Sequence, residues 1–177
     1  AFMILNRNKR GMAVNLKHPG GLEVVKKLIA GADVVTENYR KGTLEKLGLG
    51  YDVLEKINPR LVYCAISGYG RTGPYAERPG AGTLAEAYAG LTHMTGEPDG
   101  PPMLTSVAIG DTVTAFAGVM GALAACWGRD AGGRGGALVD VSMYEPVLAL
   151  MGSTLAGWDG SQAAPMRNGS RVHGGVP

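Results

Sequence analysis

A chain of 177 residues, 45% hydrophobic and 18% charged, has the length of one ordinary domain. Its 17 Lys and Arg stand against 15 Asp and Glu, and the resulting charge of +2 argues against a broad polyanion-binding surface. The 29 Gly and ten Pro approach a low-complexity composition, but they are scattered among apolar segments, so disorder does not explain them.

In chain order, Met12–Leu16 reads as a short strand. Pro19 then opens a helix in which Leu22, Val25, Leu28 and Ile29 recur at helical spacing through Ala30, and Gly31 ends it. Asp33–Glu37 is the next strand, followed by two short helices, Thr43–Leu47 and Asp52–Ile57, around Gly48-Leu49-Gly50. Leu61–Ile66 is a nearly continuous apolar run, as expected of a strand covered on both faces. This alternation predicts an open parallel α/β sheet with flanking helices. Further on, Thr83–Leu91 reads as a helix and Gly96–Pro102 as a loop. Thr112–Arg129 is the strongest helix, Ala137–Met143 alternates like a strand, Glu145–Leu155 is helical, and the chain from Gly157 onward is a loop.

Cys64 and Cys126 form no C-x-x-C pattern and read as reduced, buried thiols of a cytoplasmic protein. His18, His93 and His173 have no zinc spacing, and no signal peptide is evident at Ala1–Leu5. The most apolar segment, Val113–Trp127, is 15 residues long. A membrane span needs about 20, so a buried core helix is expected there.

Three segments carry candidate chemistry. Gly68-Tyr69-Gly70-Arg71-Thr72-Gly73 is a literal G-x-G-x-x-G after an apolar strand, but Pro74 follows where a dinucleotide fingerprint needs a helix to begin. It reads better as a strand-end loop that lets a ligand approach the backbone than as a nicotinamide site. Asp111, at the mouth of the apolar helix, is either its N-cap or a carboxylate made nucleophilic by apolar surroundings, and the residues alone leave both readings open. Glu37–Gly42, at the carboxyl end of a strand, is either a solvated turn or a ligand-binding edge, with Asn38, Tyr39 and Arg40 suited to an amide, a ring and a phosphate.

Taken together, these segments resemble the class III CoA-transferases, the family of formyl-CoA and carnitine CoA-transferases and the related α-methylacyl-CoA racemases. The resemblance runs in order through Asn8-Lys9-Arg10, Asn15-Leu16-Lys17, Ala32–Arg40, Leu47–Tyr51, Asn58–Tyr63, Ser67–Pro74, Gly110-Asp111 and Val139–Met143. It implies a Rossmann-like large domain, of which residues 1–177 would be a part. The first strand and a small domain would lie outside, residues 157–177 would lead away, and an interlocked homodimer would form. It implies Asp111 as the nucleophile that attacks an acyl-CoA thioester, giving a mixed anhydride and then an enzyme–CoA thioester resolved by a carboxylic acid. Asn15, Lys17, Asn38, Tyr39, Arg40 and Lys46 match CoA-contacting positions. Coenzyme A then enters as substrate, with no prosthetic group, metal, nucleic acid or membrane required.

Two departures stand out: Lys41 replaces the family's usual Pro, and Gly136 its usual Gln. The racemases' catalytic His beside an Asp is missing from Pro79–Glu86, which favours transferase over racemase, although Glu86 or Tyr88 remains available as a substitute base. A fragment that only binds CoA is the third reading.

Overall fold

The computed structural model describes residues 2–157, 160 and 165–171. Three strands, β1 (Val34–Glu37), β2 (Val62–Ser67) and β3 (Ala137–Ser142), form one parallel sheet in the order β1-β2-β3. The register pairs Val34 with Val62 and Val62 with Ala137, so the strands start level. This is the predicted α/β architecture.

The central strand explains the layering. Side chains alternate along a strand, and β2 has apolar residues on both sides. Leu61, Tyr63 and Ala65 join Ile29, Leu44, Leu49 and Leu54 in one core. That core is closed by α2 (Pro19–Ile29), α3 (Thr43–Lys46) and α4 (Tyr51–Ile57). Cys64 and Ile66 point the other way, towards α7 (Ile109–Asp130), where Gly118 has no side chain to separate helix from sheet. α2 begins as its sequence indicates, with Pro19 in the first turn and the His18 ring accepting the Gly20 N–H at 3.1 Å. Asn58 holds its far end, donating to the carbonyls of Ile29 and Ala32.

The remaining helices are α1 (Phe2–Leu5), α5 (Gly82–Ala89), α6 (Leu91–Met94), α8 (Tyr144–Leu150) and α9 (Gly152–Ala156). Several boundaries differ from expectation. Met12–Leu16 is not a strand: it pairs with no strand among the described residues, and Leu16 only packs against the core. The helix expected over Thr83–Leu91 is interrupted at Gly90, which takes φ +95° and separates α5 from α6. The helix expected over Glu145–Leu155 is divided at Met151. Of the terminal stretch from Gly157, the described residues form neither helix nor strand, and residues 158–159, 161–164 and 172–177 lie outside the described set.

The apolar helix α7 is not the buried element expected. Its 22 residues are long and apolar enough to cross a membrane. One face packs on the sheet through Gly118 and Gly121. The other leaves Phe116, Met120, Leu123 and Trp127 exposed, Trp127 to 75%.

Candidate active site

A cleft of about 330 Å³ opens at the carboxyl ends of the strands, where open α/β sheets bind ligands. The turn after β1 supplies Asn38, Tyr39, Arg40 and Lys41. The end of β2 and the loop after it supply Ser67, Gly68 and Ala76–Gly82, and Asp111 and Met143 complete the walls. Two segments far apart in sequence, 38–40 and Asp111, therefore share one cleft.

The loop after β2 is drawn shut by two glycines. A Cβ on Gly68 would lie 2.5 Å from the Gly80 Cα, and one on Gly80 would lie 2.3 Å from the Gly68 Cα. Within this bow Gly70 and Gly73 take φ of +81° and +84°, and no helix starts before Gly82. The helix N-terminus that a dinucleotide fingerprint requires is absent from residues 68–81, as Pro74 indicated.

Asp111 is not an N-cap. α7 starts at Ile109 with Ala108 as its cap residue and no capping side chain there, so Asp111 sits inside the first turn. Its carboxylate lies directly over the Cα of Gly82: a Cβ at that position would meet the Asp111 Cγ at 2.7 Å. Gly110 is pressed equally close, since a Cβ there would meet the Gly82 carbonyl oxygen at 2.5 Å. The first turns of α5 and α7 thus touch through two glycines. The N-terminal ends of α5 and α7 therefore meet beside the Asp111 carboxylate.

The cap of α7 comes from elsewhere. Glu86 on α5 is only 2% exposed, and its carboxylate accepts the Gly110 N–H at 2.8 Å and the Thr105 hydroxyl at 3.0 Å. This bond explains why α7 begins earlier than its sequence suggests. Glu86 does not line the cleft, so it is not placed as a substitute base. Tyr88 is also outside, packed edge-on against Tyr69, Tyr75 and Tyr144.

Asn38, Tyr39 and Arg40 are exposed on the cleft wall, and their turn is held by Glu37, whose Oε2 accepts the Tyr39 N–H at 2.7 Å. Burial pushes the Glu37 carboxyl above its usual range, against the opposing pull of that hydrogen bond and of Arg71. Lys41 spans the cleft to Glu77 at 2.8 Å. The other matched positions lie outside the cleft walls. Asn15 and Lys17 are exposed just before α2, with the Asn15 side chain accepting the Lys17 N–H, and Lys46 is exposed on α3. Among the described residues no group of three His, Cys, Asp or Glu is placed to hold a metal. Cys64 and Cys126 are free thiols; Cys64 is buried as expected, whereas Cys126 is only half-buried.

The family model for CoA-transferase family III matches residues 1–177. The chain belongs to that family. Among curated relatives, it is 43% identical over 169 residues to the succinyl-CoA–L-malate CoA-transferase beta subunit of Chloroflexus aurantiacus, covering 95% of this chain and 42% of that protein. It is 38% identical to the succinyl-CoA:glutarate CoA-transferase of Mus musculus, covering 99% of this chain and 40% of that one. The crystal structure of a CaiB/BaiF family protein from Brucella suis superposes with a TM-score of 0.87 at 36% identity, over 92% of this chain and 43% of that one. The chain therefore spans about two fifths of the length of these family III proteins.

Proposed function

We propose that the protein moves CoA from an acyl-CoA thioester to a free carboxylic acid, with Asp111 as the covalent relay. The observation that carries this reading is the Asp111 carboxylate lying in a cleft shared with Asn38-Tyr39-Arg40, in a chain of CoA-transferase family III. Direct attack of a carboxylate on a thioester is split into steps through activated acyl groups. An Asp111 oxygen attacks the thioester carbonyl, forming a mixed anhydride as the C–S bond breaks and CoA thiolate leaves. The thiolate attacks the aspartyl carbonyl, which releases the donor acid and leaves an enzyme–CoA thioester. The acceptor carboxylate then displaces the thiolate to form a second anhydride. Attack of the thiolate on its acceptor-derived carbonyl yields the new acyl-CoA and frees Asp111. Charge moves between carboxylate and thiolate throughout, with no net proton transfer.

Substrates of the dicarboxylic class suit the cleft. The relatives above are named for succinyl-CoA, malate and glutarate, whose acids carry a second carboxylate. Arg40 and Arg78 line this cleft, and among the described residues neither has a carboxylate partner. The Arg40 guanidinium is therefore open to the free end of such an acid, while that of Arg78 is stacked over the Tyr75 ring at 4.0 Å.

Incubating the full-length protein with succinyl-CoA and hydroxylamine should convert Asp111 to its hydroxamate, detected by peptide mass. Asp111→Ala should lose at least ~10³-fold in transfer rate, about 4 kcal/mol of barrier. Transfer at the unsubstituted rate by Asp111→Ala would sink the proposal.

A further inference from the structure

Arg71, an interior residue of the glycine motif, is absent from the cleft wall, yet it ties together three elements beside it. Its backbone N–H donates to both oxygens of Asp140, at 2.9 and 3.2 Å, which ties it to β3. Its guanidinium pairs with Glu45 on α3 and lies 3.6 Å from the Glu37 carboxylate at the end of β1. Glu37 in turn accepts the Tyr39 N–H. The Arg71 side chain is well shielded and that of Glu37 is nearly buried, so this contact is no solvated surface pair, while Glu45 at the edge of the cluster is about one-third exposed. Through Glu37 Arg71 reaches the Asn38–Arg40 turn, and through Glu45 it reaches the helix turn that carries Lys46.

We infer that Arg71 is a positioning residue for the acyl-CoA site, holding the 38–40 turn and α3 in one fixed relation. This rests on the CoA-transferase reading of the cleft. A guanidinium is suited to the role because its planar fork engages two carboxylates at once, whereas a lysine ammonium offers a point charge. Glu37 has lost water by burial and has Arg71 as its cationic neighbour, so removing the guanidinium leaves the carboxylate poorly compensated. The turn it braces would then relax away from its ligand-ready form. Asp111 belongs to the α5–α7 contact and is not tethered through this cluster. Loss of Arg71 should therefore weaken ground-state binding of CoA while leaving the covalent steps intact.

The test measures steady-state transfer and CoA binding by calorimetry in the full-length protein. Arg71→Met should raise the KM for acyl-CoA and the Kd for CoA by about tenfold or more, with kcat within about threefold. Arg71→Lys should recover part of that loss. Glu37→Gln combined with Arg71→Met should cost less than the sum of the two single changes, because the neutral amide no longer needs the guanidinium, a coupling that general destabilisation does not produce. If Arg71→Met fails to fold, the lysine variant and the Glu37→Gln/Arg71→Met double variant still read the effect. An unchanged KM in the lysine and methionine variants, or a fall in kcat at constant KM, would overturn the inference. If the unsubstituted protein does not bind CoA, the reading of the cleft fails first and this inference falls with it.

Discussion

At the scale of single residues, the site depends on a missing side chain. The Asp111 carboxylate occupies the space where a Cβ on residue 82 would stand, 2.7 Å from such an atom. The three atoms nearest a Cβ at position 82 all belong to the movable end of Asp111, so the Gly82→Ala protein should still fold, with the carboxylate turned aside. Misplacement of a reacting group by about 1 Å can cost about 10²-fold, so kcat should fall ten- to a hundredfold while CoA binding persists. Unchanged kcat in that variant would show that Asp111 does not react from this position. Asp111 itself was legible in the sequence, but its surroundings were not. The N-cap reading was reasonable for an Asp at a helix mouth; Glu86 caps α7 from 24 positions away, a pairing with no local signature. The same holds for Arg71 and Glu45, which meet only because the loop after β2 comes back over α3.

At the scale of elements, β2 was the most legible, because a short run apolar on both faces has few alternatives in an α/β sequence. Met12–Leu16 shows the opposite case: its composition suits a strand, but strand formation requires a neighbour, and none lies beside it among the described residues. The far end of α7 is fastened by charge. Arg129, only 5% exposed, donates to the Asp33 and Asp130 carboxylates and to the Arg60 carbonyl, while the Arg60 guanidinium meets Asp130 at 2.6 Å. These bonds join α7 to the chain just before β1 and β2, at the end of the sheet opposite the cleft. The Arg129 hydrogen bonds, with Arg60, hold the Asp130 carboxyl down at about 2 against an ordinary 3.8. A lowered carboxyl stabilises the fold above its unfolded value, and this contribution is lost as pH falls through about 2. Between pH 5 and pH 2.5, the full-length protein should therefore lose more thermal stability than its Asp130→Asn variant. Equal losses in the two proteins would rule out this linkage.

At the scale of the whole molecule, the described residues form a sheet of three strands whose two outer strands each have one unpaired edge. Beside it, α7 presents Phe116, Met120, Leu123 and Trp127 on one outward face. Open edges and a continuous apolar stripe both favour association. Residues 1–177 expressed alone should accordingly self-associate or precipitate, while the full-length protein should sediment as a dimer. A monodisperse, cooperatively melting monomer of the isolated segment would refute the first expectation, and a full-length monomer the second. The architecture was readable in advance because the alternation of strand and helix carries it. The exposure of α7 was not, because an apolar helix has the same sequence whether its second face meets protein or water.

The contact of Gly68 with Gly80 has a consequence for how this cleft can diversify. With the two ends of the bow pressed backbone to backbone, residues 69–79 hang from a narrow neck made by two glycines. Closing a loop costs little more as it lengthens, roughly 0.6 kcal/mol per doubling. Residues of the bow other than Arg71 can therefore be exchanged or inserted at small cost to the sheet beneath it. It behaves as an interchangeable cassette set into a constant frame, with Arg71 as the stud that keeps it in place.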